Sequence, residues 1–275
     1  VLDQRILTAL LLAPLVMGAV LLLPTAYVAG LFGLVVLLGA QEWARLARLG
    51  PLWLKVLYLA AVAAAMGAVL ALAARPAGAL WLFGATLAWW LGVALLLVRS
   101  PVQRSAGAGA DPLQALAAFP ALVPAWAAFV VLHASSPAGP ALVLFLLLTI
   151  WISDSAAFFA GRRWGRARLA PALSPGKTWA GLYGALGGSV LCAGFLAWWA
   201  PGGGPGPWTA LMLCWGATLA SVVGDLFESL MKRRRGVKDS GAVLPGHGGV
   251  LDRIDSLTAA APVFTFGWLL AGPAG

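Results

Sequence analysis

The chain has 275 residues, of which 61% are hydrophobic and only 10% charged, with a net charge of +9 and a mean hydropathy of +0.92. A soluble globular domain carries about 25% charged residues, so this composition excludes one and requires lipid as the solvent. A helix needs about 20 mostly apolar residues to cross the hydrocarbon core. The chain offers nine such runs, roughly 6–23, 25–44, 54–74, 79–98, 113–133, 141–160, 179–199, 208–231 and 257–272. They are continuously apolar, without the period-two alternation of barrel strands. The reading is therefore an all-α integral membrane protein, a polytopic bundle of about nine transmembrane helices. The first run, 18 residues long, exceeds the ~7–15 of a signal-peptide core and is read as a retained span.

The bases set the orientation. With the N-terminus cytoplasmic, 17 of the 18 bases fall on the inside and only Arg75 lies outside, which the positive-inside rule selects; the C-terminus is then outside. For Arg45, Arg48, Arg99 and Arg104 topology alone is a sufficient explanation. The segments 162–177 and 232–253 hold eleven bases interleaved with Gly, Ser, Asp and His. Beside a bilayer, and without a recognition module, such groups suit nucleotide and lipid phosphates better than nucleic acid.

No internal repeat is evident, and the low-complexity stretches 105–110 and 201–207 read as linkers. Within one polytopic domain, residues 1–135 read as a transmembrane scaffold with a candidate homodimer surface, and 136–275 as the catalytic region. Six of the nine acids lie in that second part. Cys192 and Cys214 fall inside spans and read as small packing residues.

Acids inside spans are informative, because a charge at mid-membrane costs about 2.5–3.5 kcal/mol and usually lines a cavity or a pathway. Asp154 stands near the cytoplasmic end of the sixth run. In the eighth, Ser221, Asp225, Glu228, Ser229 and Lys232 share an arc of roughly 100° at helical spacing, one polar stripe that cannot face lipid. Carboxylates on adjacent turns are hard oxygen ligands suited to Mg²⁺ with phosphates and waters; an i,i+4 ion pair between Glu228 and Lys232 is the structural alternative. Asp252 and Asp255 stand one turn apart at the start of the ninth run, at the same depth, where Asp255 also suits a helix N-cap. A cation site drawing on Asp225 and Asp252 follows, with Glu228, Asp255 and Asp154 as further candidates and room for a second cation. The segment SPGKT at 174–178 lacks the first glycine of a P-loop. Lys177 and nearby backbone amides at the seventh helix start nevertheless suit a phosphate.

Residues 229–255 read S-x-x-K-R-x-x-x-x-K-D-x-G-x-x-L-P-x-H-G-G-x-x-D-R-x-D. This resembles the signature of the phosphatidate cytidylyltransferases. The stretches around Asp154 and SPGKTWAG resemble two further segments of that family, with Phe158 where Tyr is often found, and Gln41-Glu42-Trp43 is a smaller likeness. The resemblance covers roughly 150–265. It implies Mg²⁺-dependent transfer of CMP from CTP to phosphatidic acid, giving CDP-diacylglycerol and pyrophosphate, in a bacterial-type inner membrane with the active site cytoplasmic. The catalytic candidates are then Asp225, Asp252, Lys177, Lys238 and His247. Ser174, Lys177, Ser229, Lys232, Arg233, Lys238, Asp239, His247 and Arg253 are the substrate-binding candidates. A CTP-dependent polyprenol or dolichol kinase and, from a different class, an anion or phospholipid transporter are the rival readings; a transporter favours related halves and mid-membrane helix breaks, whereas here polar groups gather at one end.

Overall fold

A computed structural model describes residues 13–99, 109–200, 205–241 and 248–272. Among the described residues the chain forms nine helices: α1 (Ala13–Leu22), α2 (Thr25–Leu46), α3 (Leu52–Ala73), α4 (Pro76–Arg99), α5 (Pro112–Ala134), α6 (Gly139–Trp164), α7 (Trp179–Trp199), α8 (Pro207–Arg235) and α9 (Leu251–Ala271). Eight are long and apolar enough to cross a membrane; α1 is the shorter one, and the start of its expected run lies outside the described residues.

The helices outrun the hydropathy at the charged end. α8 continues past residue 231 to Arg235, and α9 starts at Leu251 rather than near 257. Hydropathy marks only the part of a helix that needs lipid, while capping decides where it stops. Four bases, Lys232 to Arg235, occupy the last turn of α8 and complement the negative end of its dipole. Gly236 then takes the left-handed conformation, φ 76°, and its N–H together with that of Val237 closes on the carbonyls of Arg233 and Lys232.

Between α6 and α7, where the sequence suggests only a basic loop, two short strands pair antiparallel: β1 (Arg168–Ala170) and β2 (Ser174–Thr178), with Arg168 opposite Thr178 and Ala170 opposite Ser174. Buried Leu173 anchors the connection between them. Thr178 ends β2 and caps α7, its hydroxyl accepting from the Gly181 N–H at 3.0 Å.

α5 is the central helix, buried along most of its length and packed against α2, α3, α6 and α9. Around it the closest pairs are α6 with α7 and α8 with α9. In lipid no hydrophobic force separates helices from their surroundings, so close backbone approach through small residues holds them together. On α7, Gly184 and Gly188 lie against Ala156 and Ala160 of α6, leaving no room for a side chain. On α8, a Cβ at Gly224 would stand 2.5 Å from the Asp255 carbonyl oxygen. That contact sets the acidic turn of α9 directly against the polar stripe of α8.

Candidate active site

The charged end of the bundle contains two adjoining polar regions. The first is an open cavity of about 570 Å³ lined by α6, β1, β2, α7 and α8. Asp154, Arg162, Arg168, Lys177, Ser221 and Asp225 supply its polar lining, and Ala157, Phe158, Leu182 and Val222 its apolar lining. Lys177 projects from β2 to within 2.8 Å of Asp225 Oδ2 on α8, and both side chains stay partly exposed. The other Asp225 oxygen accepts from Ser229 Oγ at 3.4 Å. Asp154 reaches this cavity from about three turns before the end of α6, one residue after Ser153, whose hydroxyl meets Thr218 Oγ1 at 3.2 Å across the α6–α8 interface.

The second region lies between α8 and α9. Lys232 Nζ bonds Glu228 Oε2 and Asp252 Oδ1, each at 2.6 Å. The i,i+4 pair offered as the structural reading of Glu228 is therefore present, and it is doubled by a link to α9. Asp252, in the first turn of α9, reaches back with Oδ2 to accept from the Gly249 N–H at 2.8 Å, the Ser240 N–H at 3.0 Å and the Ser240 hydroxyl at 3.0 Å. Gly248, with φ 81°, makes the turn that brings these amides round. Asp255 is not the N-cap of α9, since Val250 holds that position. Its carboxylate instead lies within electrostatic reach of Asp225, Glu228 and Lys232.

The polar stripe thus divides between two neighbours. Ser221 and Asp225 face the cavity, while Glu228 and Lys232 face α9. Arg233 turns the other way and donates from Nε to the Leu173 carbonyl at 3.2 Å, tying the end of α8 to the hairpin. Ser174 sits on β2 opposite Ala170, outside the cavity lining. Lys238 and Asp239 are exposed on the turn after α8, and Arg253 is exposed on α9. His247 lies outside the described residues.

One buried carboxylate, noted in the sequence only as part of Gln41-Glu42-Trp43, was given no role there. Glu42, at the end of α2, is only 1% exposed. Its Oε1 accepts from the Val250 N–H at 3.0 Å, and its Oε2 from the Leu251 N–H at 2.8 Å and the Ser240 hydroxyl at 2.9 Å. Val250 offers α9 no side-chain cap, so a carboxylate from another helix satisfies that N-terminus and complements its dipole. Trp43 beside it fixes the approach, donating from Nε1 to the Gln114 carbonyl at 2.7 Å and packing on Phe227 of α8. The available signal was the acid itself, a glutamate inside an apolar run.

A lysine–carboxylate pair that stays partly exposed on a cavity wall, Lys177 with Asp225, suits a ligand that carries many negative charges and a cation that accompanies it. Among the described residues no three His, Cys, Asp or Glu side chains stand close enough to cage a metal by themselves. The carboxylates nevertheless fit an ion that takes its remaining ligands from phosphate and water. Asp225 opens onto the cavity, and buried Glu228 Oε1 accepts no hydrogen bond from any described residue.

Comparison with known proteins bears on this arrangement. The phosphatidate cytidylyltransferase of Pseudomonas aeruginosa is 42% identical over 264 residues, covering 96% of this chain and 95% of its own. That of Haemophilus influenzae is 37% identical over 287 aligned residues, covering 96% and 98%. The Brucella suis phosphatidate cytidylyltransferase is 46% identical over 147 residues, about half of each chain at 52%. The match to the family model named cytidylyltransferase family runs over residues 3–270, so the chain belongs to the cytidylyltransferase family.

Proposed function

We propose that this protein transfers CMP from CTP to phosphatidic acid, giving CDP-diacylglycerol and pyrophosphate. The observation that carries the reading is the cavity in which Lys177 and Asp225 meet beside Arg162 and Arg168, at the charged end of a bundle otherwise made of lipid-soluble helices. CTP cannot enter hydrocarbon and phosphatidic acid does not readily leave it, so the site must meet both phases. The polar wall serves the nucleotide, and Phe158, Leu182 and Val222 continue the same wall toward the acyl chains.

The lipid phosphate is already a nucleophile, so the chain needs no strong base. Its tasks are to align that oxygen with the α-phosphorus and to neutralise charge as pyrophosphate leaves. Lys177 does this from β2, with Arg162 and Arg168 on the cavity wall. Asp225 and Asp252 are the carboxylates proposed to hold Mg²⁺, with Glu228, Asp255 and Asp154 close by. Bound there with the nucleotide, the ion would polarise the phosphate oxygens and stabilise the leaving group. Lys232 keeps Asp252 and Glu228 in register while the site is filled. Ser229 orients Asp225, and Lys238, Asp239 and Arg253 present further polar groups to the cytosol. The kinase and transporter readings have no comparable support, since the relatives matched along the whole chain are cytidylyltransferases.

Purified protein given labelled CTP, phosphatidic acid and Mg²⁺ is expected to form lipid-extractable cytidine; a folded sample that forms none overturns the reading, and CDP as product would favour the kinase. In the same assay Lys177→Ala should raise the KM for CTP roughly 10-fold or more, the worth of one charge-assisted hydrogen bond. KM values unchanged from wild type for both substrates would remove Lys177 from the site.

The distribution of bases supports an inner-membrane orientation with the N-terminus and this site cytoplasmic. Exposed positions on the two sides of the bundle can report that orientation. Arg235→Cys should react with an impermeant thiol reagent from the cytoplasmic face and Arg75→Cys from the opposite face, both native cysteines being buried. The reverse pattern would invert the topology.

A further inference from the structure

Glu42 is the least expected charge in the molecule. It belongs to α2, in the half of the chain with few acids, yet its carboxylate is fully engaged by the segment that precedes and begins α9. Each of its two oxygens accepts a different backbone N–H, Oε1 from Val250 and Oε2 from Leu251. An amide side chain of the same shape cannot do this, because one of its two ends is a donor. The fit is close on every side: a Cβ on Gly241 or on Gly249 would collide with the Glu42 carboxylate. Neither glycine can carry a side chain while Glu42 keeps this position.

Ser240 extends the arrangement. Its single hydroxyl proton lies between Glu42 Oε2 at 2.9 Å and Asp252 Oδ2 at 3.0 Å. The hydroxyl serves one carboxylate at a time, so Glu42 competes with Asp252 for it. Asp252 Oδ2 also holds the Ser240 and Gly249 amides, and Oδ1 holds Lys232. A chain of contacts therefore runs from α2 through Ser240 to Asp252 and on to Lys232 and Glu228.

We infer that Glu42 is a positioning residue for the transfer reaction: it fixes the first turn of α9 and the Ser240 hydroxyl so that Asp252 presents its carboxylate to the Mg²⁺–nucleotide. The N-terminal half then contributes to the active site and is more than a scaffold. This rests on the cytidylyltransferase reading, and wild-type turnover in the assay above establishes that reading separately before any variant is compared.

The test is Glu42→Gln in the full-length protein, purified in detergent. The half-saturating Mg²⁺ concentration at fixed CTP should rise about 10- to 100-fold, the usual cost of losing a residue that orients a metal-binding group, while the KM for phosphatidic acid stays near wild type. Independently of activity, hydrogen exchange at the Gly249, Val250 and Leu251 amides should quicken, and the rise in melting temperature caused by CTP with Mg²⁺ should shrink. A residue that only glues the fold would lower the amount of folded enzyme and leave the half-saturating Mg²⁺ unchanged; that outcome overturns the proposal. Should Glu42→Gln fail to fold, Ser240→Ala breaks the link between the carboxylates while leaving Glu42 on its two amides. It must then raise the half-saturating Mg²⁺ in the same direction, and wild-type dependence in that variant also overturns the proposal.

Discussion

Asp225→Asn and Asp252→Asn are each expected to lower kcat by roughly 10²–10³-fold or more, the scale seen when a preorganised electrostatic group is removed from an active site, with membrane insertion unchanged. The two should fail for different reasons. Asp225 faces the cavity and shares its charge with Lys177 at 2.8 Å. As asparagine it leaves that lysine without a counter-charge, and it weakens any cation held there with the nucleotide. Asp252 accepts from four donors, the ammonium of Lys232, two backbone amides and a hydroxyl. An asparagine must turn its own amino group toward some of them, so a donor faces a donor and the turn before α9 loosens. Turnover measured across a Mg²⁺ series, beside the amount of each variant in the membrane fraction, decides the matter. Near-normal activity at limiting Mg²⁺ in either variant would remove that residue as a principal ligand.

The parts of this protein visible in the sequence are those that the solvent imposes. Lipid demands about 20 apolar residues per crossing, so the spans were legible, and the helical period alone placed Asp225, Glu228 and Lys232 on one stripe. What that period could not reveal is which neighbour each residue meets. The stripe splits between the cavity and α9 because Gly224 lets α9 approach at that turn, a fact of packing rather than of spacing. Lys177 read as a phosphate-binding group at a helix start; it lies just before that helix on a strand of five residues, too short and too rich in Gly and Pro to announce itself, and its pairing with Asp225 was not legible. Glu42 was the largest omission. Its partner Ser240 is 198 positions away, and no local pattern couples the two. The cost of burying a lone carboxylate was nonetheless a signal in plain sight, since such a group must be satisfied by something.

Replacing Lys232 by methionine should damage stability as well as activity. The ammonium joins Glu228 on its own helix to Asp252 on the next, and the Glu228 side chain is only 2% exposed, that of Asp252 10%. Removing the shared cation leaves two carboxylates facing each other with little water, and breaking a buried pair from one side costs about 3–5 kcal/mol. Against the 5–15 kcal/mol that typically separates folded from unfolded protein, a loss of about that size lowers the melting temperature visibly. Methionine keeps most of the volume, so a cavity does not explain the effect. The double variant Lys232→Met, Glu228→Gln separates the two roles. It removes one of the stranded charges and should recover much of the melting temperature, yet turnover should stay low because Asp252 has still lost the group that holds Oδ1. Melting curves in detergent and the CTP assay on the same samples provide both readings. A Lys232→Met protein that melts with the wild type would show that the three charges are not coupled, and a double variant that regains turnover would show that Lys232 serves the fold alone.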